Sequence, residues 1–189
     1  SPLDQKQIID AGNFYELVSG QVWPDNFLPS DLVIDQTSVY RDLIKRSIDL
    51  GVSIIALIAF LPAFAIIAVL VFFSSPGGVF FRQTRVGLNG ATFTLFKIRT
   101  MFFDSEPTGP QFAEKLDSRV TYIGRFLRRS RLDEWPQFWN VLRGEMSIVG
   151  PRPERPEWVR EFKNHIPYYE MRNMVRPGIT GWAQVTTGY

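Results

Sequence analysis

The chain has 189 residues, 45% of them hydrophobic, a formal net charge of +2, one histidine and no cysteine. That length suits one domain with an appendage, and the small net charge gives no argument for a polyanionic partner beyond local clustering. Without cysteine there is no disulfide, thiolate zinc site or cysteine nucleophile, and His165 alone excludes a multi-histidine metal site.

The first 37 residues read as connecting or packing structure. In "NFYELVSGQVWPDNFLPSDL" a short helix pattern ends at Gly20 and a Pro-containing linker follows. Next, "TSVYRDLIKRSIDL" reads as an amphipathic helix lying at an interface, with Ser38 as its cap and Asp42 spaced to pair with Lys45 or Arg46. From Ile48 to Phe73 the chain is almost continuously apolar, and about 20 such residues cross a bilayer. Pro62 interrupts the run, removing a hydrogen bond and kinking or breaking the helix. Both flanks are basic, with Arg41, Lys45 and Arg46 before and Arg82 and Arg85 after, whereas a true span normally shows asymmetry. Length favours a span; the proline and the flanks favour a re-entrant helix that returns to its starting face.

"VFFRQTRVGLNGATFTLFKIRTM" has the pattern of a β-hairpin, with strands Val79–Gln83 and Thr92–Ile98 and Asn89-Gly90 at the turn. Lys97 and Arg99 fall on one face by the period of two, which makes either an anion-binding surface or a solvated basic edge. "FDSEPTGPQFAEKLDSR" reads as a mobile loop. Arg125, Arg128, Arg129 and Arg131 then crowd together; arginine forks suit phosphate, and a charged helix face would look the same.

Trp135, Phe138, Trp139 and Leu142 recur at i, i+3, i+4 and i+7, an apolar helix stripe. Pro136 is tolerated only in a first turn, so the helix is expected to start near Asp133, with Asp133, Gln137 and Asn140 on a polar face. An Asp-Glu pair at a helix start can simply cap it. The same helix end attracts phosphate, and beside arginines a carboxylate can serve as nucleophile or metal ligand in phosphoryl chemistry. Further on, "IVGPRP" reads as a short strand entering a rigid turn that holds Arg152, and "VRPGITGWAQV" as a second Arg-Pro-Gly turn whose glycines let backbone amides approach a ligand. The stretch between them reads as a structural helix.

"FKIRTM", "SRLDEWPQFWNVLRGEMSIVGPRP" and "RPGITGWAQV" together resemble the bacterial sugar transferase domain, the monotopic phosphoglycosyl transferases of the larger, undecaprenyl-phosphate type. The resemblance runs from about Tyr40 to Tyr189 and includes the Pro62 interruption of a re-entrant membrane helix. It implies transfer of a sugar-1-phosphate from a nucleotide diphosphate sugar, such as a UDP-hexose, to polyprenol phosphate at the cytoplasmic face of the bacterial inner membrane. It implies Asp133 as the nucleophile forming a covalent phosphosugar, with Glu134 in Mg²⁺ and proton handling. Mg²⁺ as cofactor would be held by Asp133 and Glu134. Lys97, Arg99, Arg128, Arg152, Arg176, Gly178 and Thr180 would surround the phosphates or nucleotide.

The expected fold is α/β and mostly helical: a re-entrant helix kinked at Pro62, interfacial helices, and a small β-hairpin or sheet beside the site. Residues 1–37 form the linker, 38–74 the membrane part and 75–189 a cytosolic catalytic domain. Family members usually continue past "GWAQV", and the amino-terminal region resembles the linker of larger members, so the chain is expected to be a piece of a longer protein. Expected partners are the nucleotide sugar, polyprenol phosphate and inner-membrane lipids, with a homodimer left open. The alternative is a non-catalytic membrane-anchored scaffold of the same fold. A nucleic-acid partner is not expected, because the Trp and Phe residues sit on a core stripe and the net charge is small.

Overall fold

The structure, a computed structural model, describes residues 39–103, 105 and 117–186. The amino-terminal helix pattern, the Ser38 cap and most of the polar loop lie outside the described residues.

Helix α1 (Val39–Ser74) is one 36-residue element. No breaker separates the basic amphipathic turns from the apolar run, so the helix propagates from one into the other and on through Pro62. Its buried positions are Asp49, Ser53, Phe60, Ile67 and Val71, steps of three to four residues or their multiples, which make a single narrow stripe. Ile48, Ile55, Ile58, Leu61, Ile66, Phe72 and Phe73 are exposed around the rest. It is the one described helix long and apolar enough to cross a membrane.

Strands β1 (Phe80–Val86) and β2 (Thr92–Ile98) pair antiparallel from Phe80↔Ile98 to Val86↔Thr92. The first strand runs three residues further than its alternation suggests, because the turn is confined to Gly87–Ala91. There Asn89 (φ 54°) and Gly90 (φ 79°) take left-handed conformations, the role expected of an Asn-Gly pair.

Helix α2 (Tyr122–Ser130) starts at Thr121, whose hydroxyl accepts from the Gly124 N–H at 2.9 Å. It stops at Arg131, left-handed at φ 60°. A 3-10 turn, Leu132–Glu134, follows, and only after Pro136 does helix α3 (Gln137–Leu142) begin. Asp133 therefore does not cap α3, as the position of Pro136 had suggested; it occupies a separate tight turn.

The orientation of α3 departs in part from the sequence expectation: Trp135 packs on the core as the stripe suggests, with Phe138 and Leu142 half-buried. The buried residues of α3 are Gln137, Asn140 and Val141, while Trp139 is 51% exposed. The polar face wins because Asn140 is fully occupied. Its Oδ1 accepts from the Phe96 N–H at 3.1 Å, and its Nδ2 donates to the Thr94 carbonyl and to Glu145, each at 2.7 Å. The carboxamide thus extends the hairpin's hydrogen bonding into a helix.

Strand β3 (Ser147–Val149) pairs parallel with β4 (Gly178–Thr180). Helix α4 (Pro156–His165) and a 3-10 segment, Tyr169–Met174, form the crossover, and α5 (Trp182–Thr186) follows β4. The fold is therefore mostly helical, with two small sheets.

One core cluster joins Phe60, Ile67 and Val71 of α1 to Ile98 and Leu127, with Trp135 and Leu132 packed against it. Phe60 and Trp135 stack with centroids 4.5 Å apart. The long helix therefore completes the core of the domain that follows it. A second cluster, Leu95, Val141 and Met146, lies between the hairpin and α3.

Asn140→Ala would leave the Phe96 N–H and Thr94 carbonyl without their partner beside a fully buried position, at about 1–3 kcal/mol each before relaxation. Chemical denaturation in detergent should show a loss of ~2–4 kcal/mol. A change below ~0.5 kcal/mol would contradict the bridging role.

Candidate active site

Asp133 and Glu134 are both buried, at 6% and 7% exposure, in the turn between α2 and α3. The left-handed Arg131 turns the chain so sharply that two adjacent carboxylates enter the protein instead of facing solvent.

Their environments differ. Glu134 Oε1 accepts from Lys97 Nζ at 2.7 Å and from Arg152 Nη2 at 3.3 Å. Burial alone would raise its pKa, but Lys97, Arg152 and the Lys97 hydrogen bond outweigh burial and hold it below the ordinary carboxylate range. Asp133 Oδ1 is buried and accepts no hydrogen bond. Burial, assisted by the neighbouring Glu134 charge, pushes the Asp133 pKa up against the pull of Lys97 and Arg128. Burial also lowers the Lys97 ammonium below its usual range, against the pull of Glu134.

The expected cations divide into groups. Lys97 and Arg152 clamp Glu134. Arg128 donates from Nε to the Thr100 hydroxyl at 2.8 Å and feels the Asp133 charge. Arg131 lines a cleft of about 350 Å³ together with Glu134, Trp135, Phe138, Ile179, Thr180 and Gln184. Arg125 and Arg129 are exposed. Arg176 is exposed too, with Nε on the Gly144 carbonyl at 3.0 Å. Arg99 does not share Lys97's anion: its guanidinium donates to the carbonyls of Val71, Ser75 and Pro76 at 3.2, 2.7 and 2.6 Å. It lies one residue beyond β2, where the period of two no longer dictates direction.

Gly178 has a role other than the ligand approach its motif suggested. Its N–H already donates to the Pro151 carbonyl at 2.9 Å. A Cβ on it would stand 2.1 Å from the Gly150 nitrogen, and one on Gly150 would stand 2.3 Å from the Arg176 carbonyl oxygen. The glycines let the two motifs' backbones approach each other. Thr180 is placed by the same contact, its carbonyl accepting from the Gly150 N–H at 2.9 Å.

Three contributors escaped the sequence reading. Arg85 donates from Nη1 to the Pro153 carbonyl at 3.1 Å and pairs with Glu154 at 3.6 Å, supporting the turn that carries Arg152. Burial lowers its pKa to about 10. Thr100 orients Arg128. Asp49, on the apolar helix, accepts from the Ser147 hydroxyl at 2.8 Å and the Ile148 N–H at 3.2 Å. A lone acid at the edge of an apolar run was the one available signal.

An acidic pair buried among cations, on a small α/β body packed along a lipid-compatible helix, defines a membrane-associated domain with a polar centre. The sequence profile of the family described as bacterial sugar transferase matches residues 40–189, and the chain belongs to that family. It is 44% identical over 174 residues to the UDP-N-acetylgalactosamine-undecaprenyl-phosphate N-acetylgalactosaminephosphotransferase of Aeromonas hydrophila, covering 92% of this chain and 41% of that protein. It is 52% identical over 147 residues to the UDP-glucose:undecaprenyl-phosphate glucose-1-phosphate transferase of Xanthomonas campestris pv. campestris, covering 77% and 30%. The protein of the same name from Caulobacter vibrioides is 43% identical over 144 residues, covering 76% and 54%. The chain thus spans from under a third to about half the length of these relatives.

The dyad's two pKa directions give opposite pH signs. Asp133 is raised in the folded state, so the native protein binds more protons through that window and its stability falls as pH rises across it. Glu134 is lowered; its contribution is present above the unfolded pKa and is lost as pH falls through the folded value. Near neutral pH, Asp133→Asn should therefore raise Tm by ~2–5 °C, with the gain fading towards about pH 4, and Glu134→Gln should lower it. Thermal unfolding in detergent over that range tests both; an Asp133→Asn protein less stable near neutrality would contradict the burial argument.

Proposed function

We propose that the chain carries the catalytic machinery of a polyprenyl-phosphate sugar-1-phosphate transferase, acting on a UDP-linked hexose or N-acetylhexosamine and undecaprenyl phosphate. One observation carries the reading: the buried, unpartnered Oδ1 of Asp133 beside a Glu134 already neutralised by Lys97 and Arg152. A carboxylate oxygen held out of water without a hydrogen-bond partner is poised as a nucleophile. The relatives' names give the substrate class, and they differ in the sugar.

In the proposed first step Asp133 Oδ1 attacks the β-phosphorus of the nucleotide sugar. The bond from that phosphorus to the bridging oxygen breaks, and the nucleoside monophosphate leaves with the electron pair. Asp133 then holds the sugar-1-phosphate as a mixed anhydride. In the second step a phosphate oxygen of polyprenol phosphate attacks the same phosphorus and Asp133 is released as carboxylate. Lys97, Arg128 and Arg152 offset charge on the phosphates, the task of fixed cations in phosphoryl transfer.

Mg²⁺ fits the donor set. The adjacent Asp133 and Glu134 carboxylates carry hard oxygens besides the Oδ1 assigned to attack, in one desolvated turn, and no group of three or more acidic or histidine side chains converges among the described residues, which leaves most of the ion's shell to substrate and water. Asp133 and Glu134 would hold the ion, with diphosphate oxygens and water completing its shell, as is usual for this metal at phosphates. It would supply charge neutralisation to the leaving monophosphate.

A monotopic placement at the cytoplasmic face of the inner membrane is part of the proposal. Support comes from contacts at both ends of α1 with one body. Arg46 donates to the Val141 and Leu142 carbonyls, and the Val71 carbonyl accepts from Arg99. The 25 residues from 46 to 71, at ~1.5 Å of rise each, are enough helix to cross the ~30 Å hydrocarbon layer. A span would put one of these contacts across the bilayer.

Two measurements test the proposal. In the full-length protein, a panel of UDP-glucose, UDP-galactose and UDP-N-acetylgalactosamine should release UMP with at least one donor. Asp133→Asn should then lose release and the covalent adduct by ~10³-fold or more; an active Asp133→Asn enzyme would overturn the nucleophile. In the cysteine-free chain, single cysteines at Asp42 and Gly78 should both react with an impermeant maleimide from the cytoplasm. Labelling from opposite sides would mean a span.

A further inference from the structure

We propose that Arg99 is a positioning residue that fixes the end of the membrane helix to the catalytic strand, and that it governs the lipid step of the reaction in preference to the nucleotide step. The inference rests on the functional reading above.

A helix ends with four unsatisfied carbonyls. At a membrane boundary, where water is scarce, those carbonyls need partners from the protein. Helix α1 has no basic residue in its last turn. The Val71 carbonyl accepts from the Ser74 hydroxyl and from Arg99 Nη2, 28 residues further along; the same guanidinium takes the two carbonyls of the turn that leaves the helix, Nη2 on Ser75 and Nη1 on Pro76. Arg99 is itself buried at 9% exposure, so the fork is enclosed by the groups it binds. A guanidinium also complements the negative end of a helix dipole. Lysine could not reproduce this, because one ammonium has no planar fork to reach three carbonyls. The backbone is shaped around the contact: a Cβ on Gly77 would come 2.3 Å from Arg99 Nη1, and Gly77 has φ +114°.

The residues either side of Arg99 explain why this contact bears on chemistry. Lys97 holds Glu134, and Thr100 holds Arg128. One extended segment of four residues thus touches the dyad, a phosphate-side arginine and the membrane helix. The nucleotide sugar arrives from water and meets only the first two. The polyprenol phosphate arrives along the membrane, at a depth set by α1, so it depends on the third. Loosening Arg99 would leave the dyad and its cations in place and shift the height at which the lipid phosphate meets Asp133. A misplacement of about 1 Å can cost ~10²-fold in rate.

The test separates the two half-reactions in the full-length protein, in vesicles containing undecaprenyl phosphate. The variants are Arg99→Lys, which keeps the charge and loses the fork, and Gly77→Ala, which displaces the guanidinium without altering it. Both should form the aspartyl phosphosugar and release UMP within ~3-fold of wild type, and both should transfer sugar phosphate to lipid ~10–100-fold more slowly. If adduct formation falls together with transfer in Arg99→Lys, Arg99 is a phosphate ligand and the proposal is overturned; it is overturned equally if transfer is unchanged in either variant. Wild type run alongside keeps the two ideas apart: no adduct in wild type with any donor counts against the functional reading, whereas a normal wild type with unaltered variants counts against Arg99 alone.

Discussion

The carboxylate of Glu134 is where three distant parts of the chain meet. Lys97 reaches it from the end of β2 and Arg152 from the turn after β3, while the 3-10 turn presents it from below. A buried carboxylate of this kind is tolerated only when paired, so each segment is held where its charge is needed. The pairing also sets Asp133 apart. Because Glu134 absorbs Lys97 and Arg152, Asp133 is left with a bare oxygen in the same desolvated place. One acid is spoken for and its neighbour is not, and the chemical reading depends on that asymmetry.

The second constraint is the side-on packing of α1. Its buried stripe of Asp49, Ser53, Phe60, Ile67 and Val71 runs along one side, polar at the amino-terminal end and apolar beyond. At one end, Asp49 receives Ser147 and the Ile148 N–H, the start of the strand that leads to Arg152. Arg46 meanwhile takes the last carbonyls of α3. In the middle Phe60 stacks on Trp135, the residue next to the dyad. The site's supporting elements are thus referenced to the long apolar helix at several levels, which fits the proposed reaction between a water-borne and a membrane-borne substrate.

Local rules made much of this legible. The Asn89-Gly90 turn, the hairpin, the capped α2 and the two glycine-proline motifs all follow from short-range chemistry, and the resemblance to a family rested on stretches that kept their order. Where the structure departs from these local rules, long-range pairing is the cause. The aromatic stripe supplies Trp135 to the core, yet Trp139 of the same stripe is exposed and a buried Asn140 satisfying two strand groups faces inward. The motif glycines looked like ligand contacts, but the close partner of each is the other motif's backbone. Arg99 looked like the companion of Lys97 until a helix terminus 24 residues earlier claimed its donors. Hydrophobic periodicity tells which face differs from the other; it does not tell which is buried when a polar group has a partner waiting.

The dyad occupies a 3-10 turn instead of the first turn of a helix, and the difference is chemical. At a helix start, free N–H groups would hydrogen-bond the Asp133 carboxylate and lower its pKa. They would satisfy the oxygen that is otherwise left bare and weaken it for the proposed nucleophilic role. Setting the pair one turn earlier, after a left-handed Arg131, keeps both carboxylates buried and leaves Asp133 uncapped. Pro136 enforces the separation, since it has no N–H to donate and opens α3 only after the dyad has passed. In this geometry the proline keeps the dyad from becoming an ordinary cap.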